Sequence, residues 1–226
     1  MITRFAPSPT GLLHRGHADS AILAQDTARA ASGRFLLRIE DIDQSRARPE
    51  WEAQIYDDLA WLGLTWDAPV VRQSDRLTAY SDVLQDLWDR EMVFACTCSR
   101  RDIQEAASAP QEGARIGPDG VVYPGTCRDH RSNGGTLAIP GGAALRLDMA
   151  RAVTDDIGFD ETGQGPQGET GRQSYKSNQL IHEIGDVVVA RRAKGTSYPR
   201  AFVRDARGEG GTPGHTGEAL AEKPPR

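Results

Sequence analysis

Between residues 2 and 96, short apolar runs alternate with stretches of helical periodicity, and that alternation leaves few folds open. "ITRFAPS" reads as a strand, "GHADSAILAQDTARAASG" as a helix closed near Gly33, and "RFLLRIED" as a buried strand ending in acids. Pro49 is well placed to open a second helix, along which Trp51, Ile55, Leu59 and Leu62 recur at helical spacing. "PVVRQSD" then reads as a strand. Leu77, Tyr80, Leu84, Leu87 and Trp88 mark another amphipathic helix, and "MVFACTC" a further strand. Strands and helices in turn predict an α/β domain built on a parallel sheet. A length of 226 residues suits one such domain with an insertion. Glycine, proline and short polar runs from Cys98 to about Gly171 mark where that insertion falls.

In an open α/β sheet, ligands sit beyond the carboxyl ends of the strands. The first strand runs straight into "PSPTGLLHRGH" and then a helix, which puts that loop at this edge. Gly11 and Gly16 let the backbone approach a ligand, and a helix starting near Gly16 offers amide groups to phosphate. His14 and His17 stand three positions apart on one side of the turn, where ring N–H groups can meet phosphoryl oxygens. Taken alone, a solvated turn with two incidental histidines accounts for His-x-Gly-His equally well.

Composition narrows the class. No run approaches the roughly 18 apolar residues of a membrane helix, and "MITRFAPSP" has no apolar signal core, so a cytoplasmic protein without membrane contact is expected. A net charge of −5 argues against a strongly basic nucleic-acid binder, though not against a local basic face. Cys96, Cys98 and Cys127 are an odd number of thiols, poor material for a disulfide framework, and are spaced more like metal ligands. Cys-x-Cys with a distant third cysteine suits a tetrahedral thiolate zinc site with a fourth oxygen or nitrogen ligand; three buried cysteines without metal are the alternative.

The whole stretch "RFAPSPTGLLHRGH" resembles the signature of class I aminoacyl-tRNA synthetases in the form of the glutamate-specific branch. "HRGH" stands where that class has its His-Ile-Gly-His motif. "LLRIEDIDQSR" at residues 36–46 is a second match, and a third runs from "DDLAWLGLTWD" through "RQSDRLTAYSDVLQDLW" to "CTCSR". Within the branch, "VYPGTCRDH" and the modest length look more like the short paralogue family that charges glutamate onto queuosine in tRNA(Asp) than like the full glutamyl-tRNA synthetases.

The resemblance implies a Rossmann-like parallel sheet with a zinc-binding insertion. Residues 1–95 would be the first half of the catalytic domain, 96–183 the insertion and 184–226 the start of the second half. It implies ATP, L-glutamate and queuosine-bearing tRNA(Asp) as partners of a monomeric enzyme, with magnesium accompanying ATP. Arg4, Phe5, Ala6, Pro7, Ser8, Glu40 and Tyr198 match the positions that bind glutamate. A guanidinium suits its carboxylate and Glu40 its ammonium. Taken alone, Glu40 reads better as an acid at a strand end paired with Arg38 or Arg46; the motif around it favours the substrate contact. His14, Gly16 and His17 match the ATP-binding turn, with the two histidines catalytic.

Tyr123 matches the paralogue family's fourth zinc ligand beside Cys96, Cys98 and Cys127, with His130 as the competing candidate. "SAPQEGARIGPDG" reads as excess chain between Cys98 and Tyr123. After Tyr198 the pattern departs: Pro199 interrupts the expected strand, Thr216 stands where a glutamate-binding arginine is expected, and no Lys-Met-Ser-Lys-Ser-type loop follows. The end therefore reads as divergent and truncated, with a shifted or a truncated reading frame as the expected explanation. An inactive remnant, a non-catalytic RNA- or partner-binding module and a glutamyl-tRNA synthetase fragment are the competing functional readings.

Overall fold

The computed structural model describes residues 1–108, 113–118, 120–161, 163–165 and 168–191. The chain divides into two compact units: Met1–Ser81 is one, and the other begins at Asp82.

In the first unit, β1 (Ile2–Phe5), α1 (Arg15–Ala30), β2 (Arg34–Ile39), α2 (Pro49–Trp61) and β3 (Val71–Arg72) follow one another. The strands form a parallel sheet in the order β1-β2-β3, with Arg4 opposite Leu36 and Arg38 opposite Val71. Strand alternation sorts the side chains onto two faces. Phe5, Phe35, Leu37 and Ile39 point into a core closed by Ala21, Ala24 and Ala28 of α1 and by Ile55 and Leu59 of α2. The alanines let α1 lie close to the sheet, where Thr3 Oγ1 donates to the Ala24 carbonyl at 2.6 Å. Ile55 and Leu59 are 1% and 0% exposed, and burial on that scale stabilises by about 1.5–3 kcal/mol each.

Helix α1 ends on Ser32, in the left-handed region at φ 48°, and Gly33 N donates back to the Ala28 carbonyl at 2.7 Å. Gly33 is required for a different reason. A Cβ there would stand 2.1 Å from the Met1 carbonyl oxygen, which accepts from Arg34 N as the two strands begin to pair. The strand expected over "PVVRQSD" is two residues long, because Asp67 exchanges hydrogen bonds with Phe35 and occupies the edge of β2 further back.

Helix α3 (Leu77–Asp89) leads to β4 (Val93–Cys96), which opens the second unit's sheet. Here the expectation of one continuous parallel sheet gives way. β4 pairs antiparallel with β7 (Ala144–Leu147), and β7 pairs antiparallel with β10 (Val188–Ala190). The intervening elements are α4 (Arg100–Ser108), the short β5 (Ile116–Gly117) and β6 (Gly120–Val121), α5 (Met149–Ala152), the hairpin β8 (Ile157–Glu161) and β9 (Gly171–Tyr175), and helical turns Ser177–Gln179 and Leu180–Ile184.

All four residues of β4 are buried because its two faces serve different clusters. Val93 and Ala95 join Leu84, Trp88, Leu145 and Val189 in an apolar core, and the Trp88 indole donates to the Leu137 carbonyl at 2.6 Å. Phe94 and Cys96 face the other way, onto Tyr123 and Cys127. Among the described residues, no helix is long and apolar enough to cross a membrane.

Candidate functional site

The turn between β1 and α1 is tied to the end of β2. Glu40 N donates to the Pro7 carbonyl at 2.9 Å, and Arg48 N to the Pro9 carbonyl at 3.0 Å. His14 is the N-cap of α1, with extended backbone geometry. Its Nδ1 accepts from Gly16 N at 3.1 Å, while His17 Nδ1 accepts from His14 N at 3.2 Å. A nitrogen that accepts carries no proton, so this network puts the N–H of each ring on Nε2. The rings stack with centroids 3.8 Å apart.

Burial, and then the neighbouring His14, hold His17 below its ordinary value of 6.5, which favours the neutral form. The turn thus presents two adjacent N–H donors. The Gly16 amide, expected to face a phosphate, is engaged by the His14 ring instead. A Cβ at Gly16 would come within 3.2 Å of that ring, whereas Gly11 faces open space.

Arg4 and Arg38 share the sheet face opposite the apolar core, since their registers alternate with Phe5, Leu37 and Ile39. Glu40, just past β2, continues that series. Its carboxylate accepts from Arg38 Nη2 at 2.7 Å, with the two side chains 4% and 0% exposed, so Arg38 rather than Arg46 is the partner. Beside it, Asp41 accepts from both the amide and the hydroxyl of Ser74. Ser8 is exposed, Arg4 and Ala6 are half-buried, and Phe5 and Pro7 are buried.

The thiols lie in the second unit. Cys96, Cys98 and Cys127 sulfurs fall within 4.8 Å of one another, with Cys98 and Cys127 at 3.4 Å. The Tyr123 hydroxyl is 3.5 Å from Cys96 Sγ and 3.8 Å from Cys98 Sγ, and it accepts from Cys127 N at 2.9 Å. Cys96 and Cys98 are shifted in opposite directions. Burial raises Cys96, but hydrogen bonds from Tyr123, Arg146 and the Cys98 amide outweigh it and leave that thiol below its ordinary value. Burial and the neighbouring Cys127 push Cys98 up to about 11, and burial with Cys127 and Cys96 raises Tyr123.

Comparison with known proteins places these features. The family described as "tRNA synthetases class I (E and Q), catalytic domain" matches residues 1–126, which hold the histidine turn, Glu40, Cys96, Cys98 and Tyr123. The chain belongs to this family. It is 59% identical over 222 residues to a "Glutamyl-Q tRNA(Asp) synthetase" of Rhodobacter capsulatus, covering 98% of this chain and 78% of that protein. A Rhodopirellula baltica protein of the same name is 39% identical over 195 residues, covering 85% of this chain and 55% of that one. The crystal structure of a glutamate tRNA ligase from Elizabethkingia meningosepticum shares the fold, with a TM-score of 0.65 at 21% identity. That likeness covers 92% of this chain and 42% of the other.

The donor set of a class I synthetase with this cluster fits a tetrahedral metal. With metal–sulfur distances of about 2.3 Å, a regular tetrahedron has edges of about 3.8 Å. Three of the ligand-to-ligand distances, 3.4, 3.5 and 3.8 Å, lie close to that edge, and the three sulfurs all fall within 4.8 Å of one another. Tyr123, 5% exposed, brings its hydroxyl within 3.8 Å of two of the three sulfurs. His130 is exposed, and its ring nitrogens are not among the ligand atoms that cluster within 4.8 Å at the thiols. Tyr198 lies outside the described residues, as do Pro199 and Thr216.

Sequence reasoning missed Arg146 and Asp186 beside the cluster. The alternation in "ALRL" carried the signal: an arginine between Leu145 and Leu147 faces away from the apolar core, toward whatever occupies the other side.

Proposed function

We propose that this chain activates L-glutamate with ATP and passes the glutamyl group to the queuosine base of tRNA(Asp). The observation that carries this reading is the stacked His14–His17 pair, each ring held by a backbone amide at Nδ1 and left with Nε2–H to donate. The relatives from Rhodobacter capsulatus and Rhodopirellula baltica, by their names, support the acceptor.

In this reaction a carboxylate oxygen of glutamate attacks the α-phosphorus of ATP, and the bond to the β-phosphate oxygen breaks. Pyrophosphate leaves with that electron pair. His14 and His17 donate to α-phosphate oxygens as charge builds on them, while Gly16 keeps the ATP face of the turn open. Magnesium travels with ATP. Arg4 pairs with a substrate carboxylate, and Glu40 receives the ammonium. Arg38 orients Glu40 from behind. Ala6, Pro7 and Ser8 shape the pocket wall, Phe5 fixes that wall by packing its ring into the core behind it, and Tyr198 is a further contact. The modified base then takes the glutamyl group and AMP is released.

Cys96, Cys98, Tyr123 and Cys127 would hold a zinc ion. When bound, it crosslinks the end of β4 to the turn at Cys127 and takes no part in the chemistry. The reading carries with it a monomeric, cytoplasmic enzyme.

The test is incubation with ATP and labelled glutamate in the presence of tRNA(Asp) with queuosine, tRNA(Asp) without it, and tRNA(Glu). Label on the queuosine-bearing tRNA(Asp) alone is expected. Label on tRNA(Glu) would make the chain a glutamyl-tRNA synthetase instead, and label on no tRNA would overturn the proposal.

A further inference from the structure

The face of the β4–β7 sheet that carries the thiols also carries a cation. Arg146 stands directly opposite Phe94, and Cys96 is two residues further along the same face of β4. Its guanidinium carbon lies 4.0 Å from the centre of the Tyr123 ring. Nη1 donates to the Asp186 carbonyl at 2.8 Å, a backbone oxygen, and among the described residues no carboxylate pairs with Arg146. Its Nε is buried without a hydrogen-bond partner. A half-buried guanidinium with its Nε shut off from water and no carboxylate beside it is costly unless something nearby supplies negative charge.

We propose that Arg146 is a positioning residue of the metal centre: laid on the Tyr123 ring and beside Cys96, it offsets the negative charge of the bound ligand set and holds the phenol oxygen at the fourth corner. This rests on the zinc reading above. Three thiolates around a divalent ion carry a net charge of −1, and a phenolate would bring it to −2. Cys96 and Cys127 are 1% and 5% exposed, so water does little to relieve that charge. One guanidinium against the set cancels part of it, and its planar shape covers the ring face as an ammonium does not.

Asp186 binds the arrangement together. Its backbone carbonyl holds Arg146. Its carboxylate, fully buried, accepts from Arg128 Nε at 2.7 Å and from Met149 N at 3.0 Å. Arg128 follows Cys127 in the chain, so one residue anchors both the cation over Tyr123 and the turn that supplies the third thiol. Partners of ligands at this remove commonly set metal affinity within a 10–100-fold range.

The experiment measures zinc affinity by competition with a chromophoric chelator, and the absorption spectrum with Co²⁺ as a probe, in the wild-type chain, Arg146→Met, Arg146→Lys, Tyr123→Phe and the Arg146→Met/Tyr123→Phe pair. The wild type should bind one equivalent. Arg146→Met should bind zinc about 10–100-fold more weakly and shift the Co²⁺ bands. Arg146→Lys, which restores the charge without the planar face, should recover part of that loss. The double variant should lose less than the sum of the two single losses, because both substitutions act on the same ligand.

Wild-type affinity and an unchanged Co²⁺ spectrum in folded Arg146→Met overturn the proposal. Should Arg146→Met fail to fold, wild-type affinity and spectrum in Arg146→Lys do the same. Additive losses in the double variant would make Arg146 a purely structural strand residue. A wild-type chain that takes up neither zinc nor Co²⁺ overturns the zinc reading itself, a result distinct from variants that bind as well as a metal-holding wild type.

Discussion

The histidine turn and the thiol cluster are both built around hydrogen-bonded, titratable rings and thiols, yet they are finished in opposite ways. At the turn, His14 is exposed and the backbone takes only one nitrogen of each ring, so the other remains for a ligand. In the cluster, Tyr123 and two of the three thiols are buried, and the phenol and thiols are satisfied by one another. Groups that must meet a substrate keep a donor in reserve. The groups proposed to hold an ion turn theirs inward. The first site should therefore be fragile in activity and robust in fold, and the second the reverse.

Substitutions separate the two. His14→Ala and His17→Ala should each lower glutamate-dependent exchange of pyrophosphate into ATP by about 10²–10³-fold, the scale seen when one preorganised donor is lost. Zinc content and the circular dichroism spectrum should stay unchanged; undiminished exchange in both variants would remove the histidines from the chemistry. Cys96→Ser should act on the other region and lower bound zinc by about tenfold or more, measured by elemental analysis. It should also loosen the segment from Cys96 to Cys127 in hydrogen exchange. Full metal retention would break the ligand assignment.

Gly16→Ala sharpens the contrast with a smaller effect. Alanine in a first helical turn favours the helix by about 0.5–1 kcal/mol, but its Cβ would press on the His14 ring from 3.2 Å. Exchange should fall about tenfold, the cost of one displaced hydrogen-bonded group, with no loss of thermal stability. A fall in both would mean that the turn cannot tolerate the side chain at all.

The smallest effect is a dependence on pH. His17 in the unfolded chain gains its proton as pH falls through about 6.5, whereas the folded chain holds the ring neutral to a lower value. The stability this contributes is complete above the unfolded value and is lost as pH falls toward the folded one. Denaturation midpoints across that window should decline with acid in the wild type and decline less steeply in His17→Gln. Equal slopes would mean that the neutral ring is not maintained by the fold.

The two regions were also legible in the sequence to different degrees. Helix α1, β2 and the Pro49 start of α2 follow from local periodicity and helix-start chemistry, and the paired histidines lie three residues apart, so their contact is a property of one turn. The thiols were visible as a spacing, but Arg146 and Asp186 reach them only through the antiparallel pairing of β4 with β7 and of β7 with β10. Nothing local announces that pairing. "MVFACTC" carries the same apolar run whether its neighbours are parallel or antiparallel, because both of its faces are buried. For the same reason Gly33 reads as a helix terminator in the sequence, while its structural necessity is the Met1 carbonyl brought against it by strand pairing. Glu40 with Arg38 lies between these cases: an i, i+2 pair across the end of one strand is local, but its burial depends on the whole sheet.

The measurement that tests the central claim most directly is glutamate-dependent exchange of labelled pyrophosphate into ATP, run on the wild-type chain beside His17→Ala and Cys96→Ser under zinc-replete conditions. The account predicts exchange that requires glutamate, collapses in His17→Ala and survives at reduced level in whatever fraction of Cys96→Ser remains folded. Exchange that is absent from a folded, zinc-bearing wild type, or that proceeds equally well in His17→Ala, would contradict it.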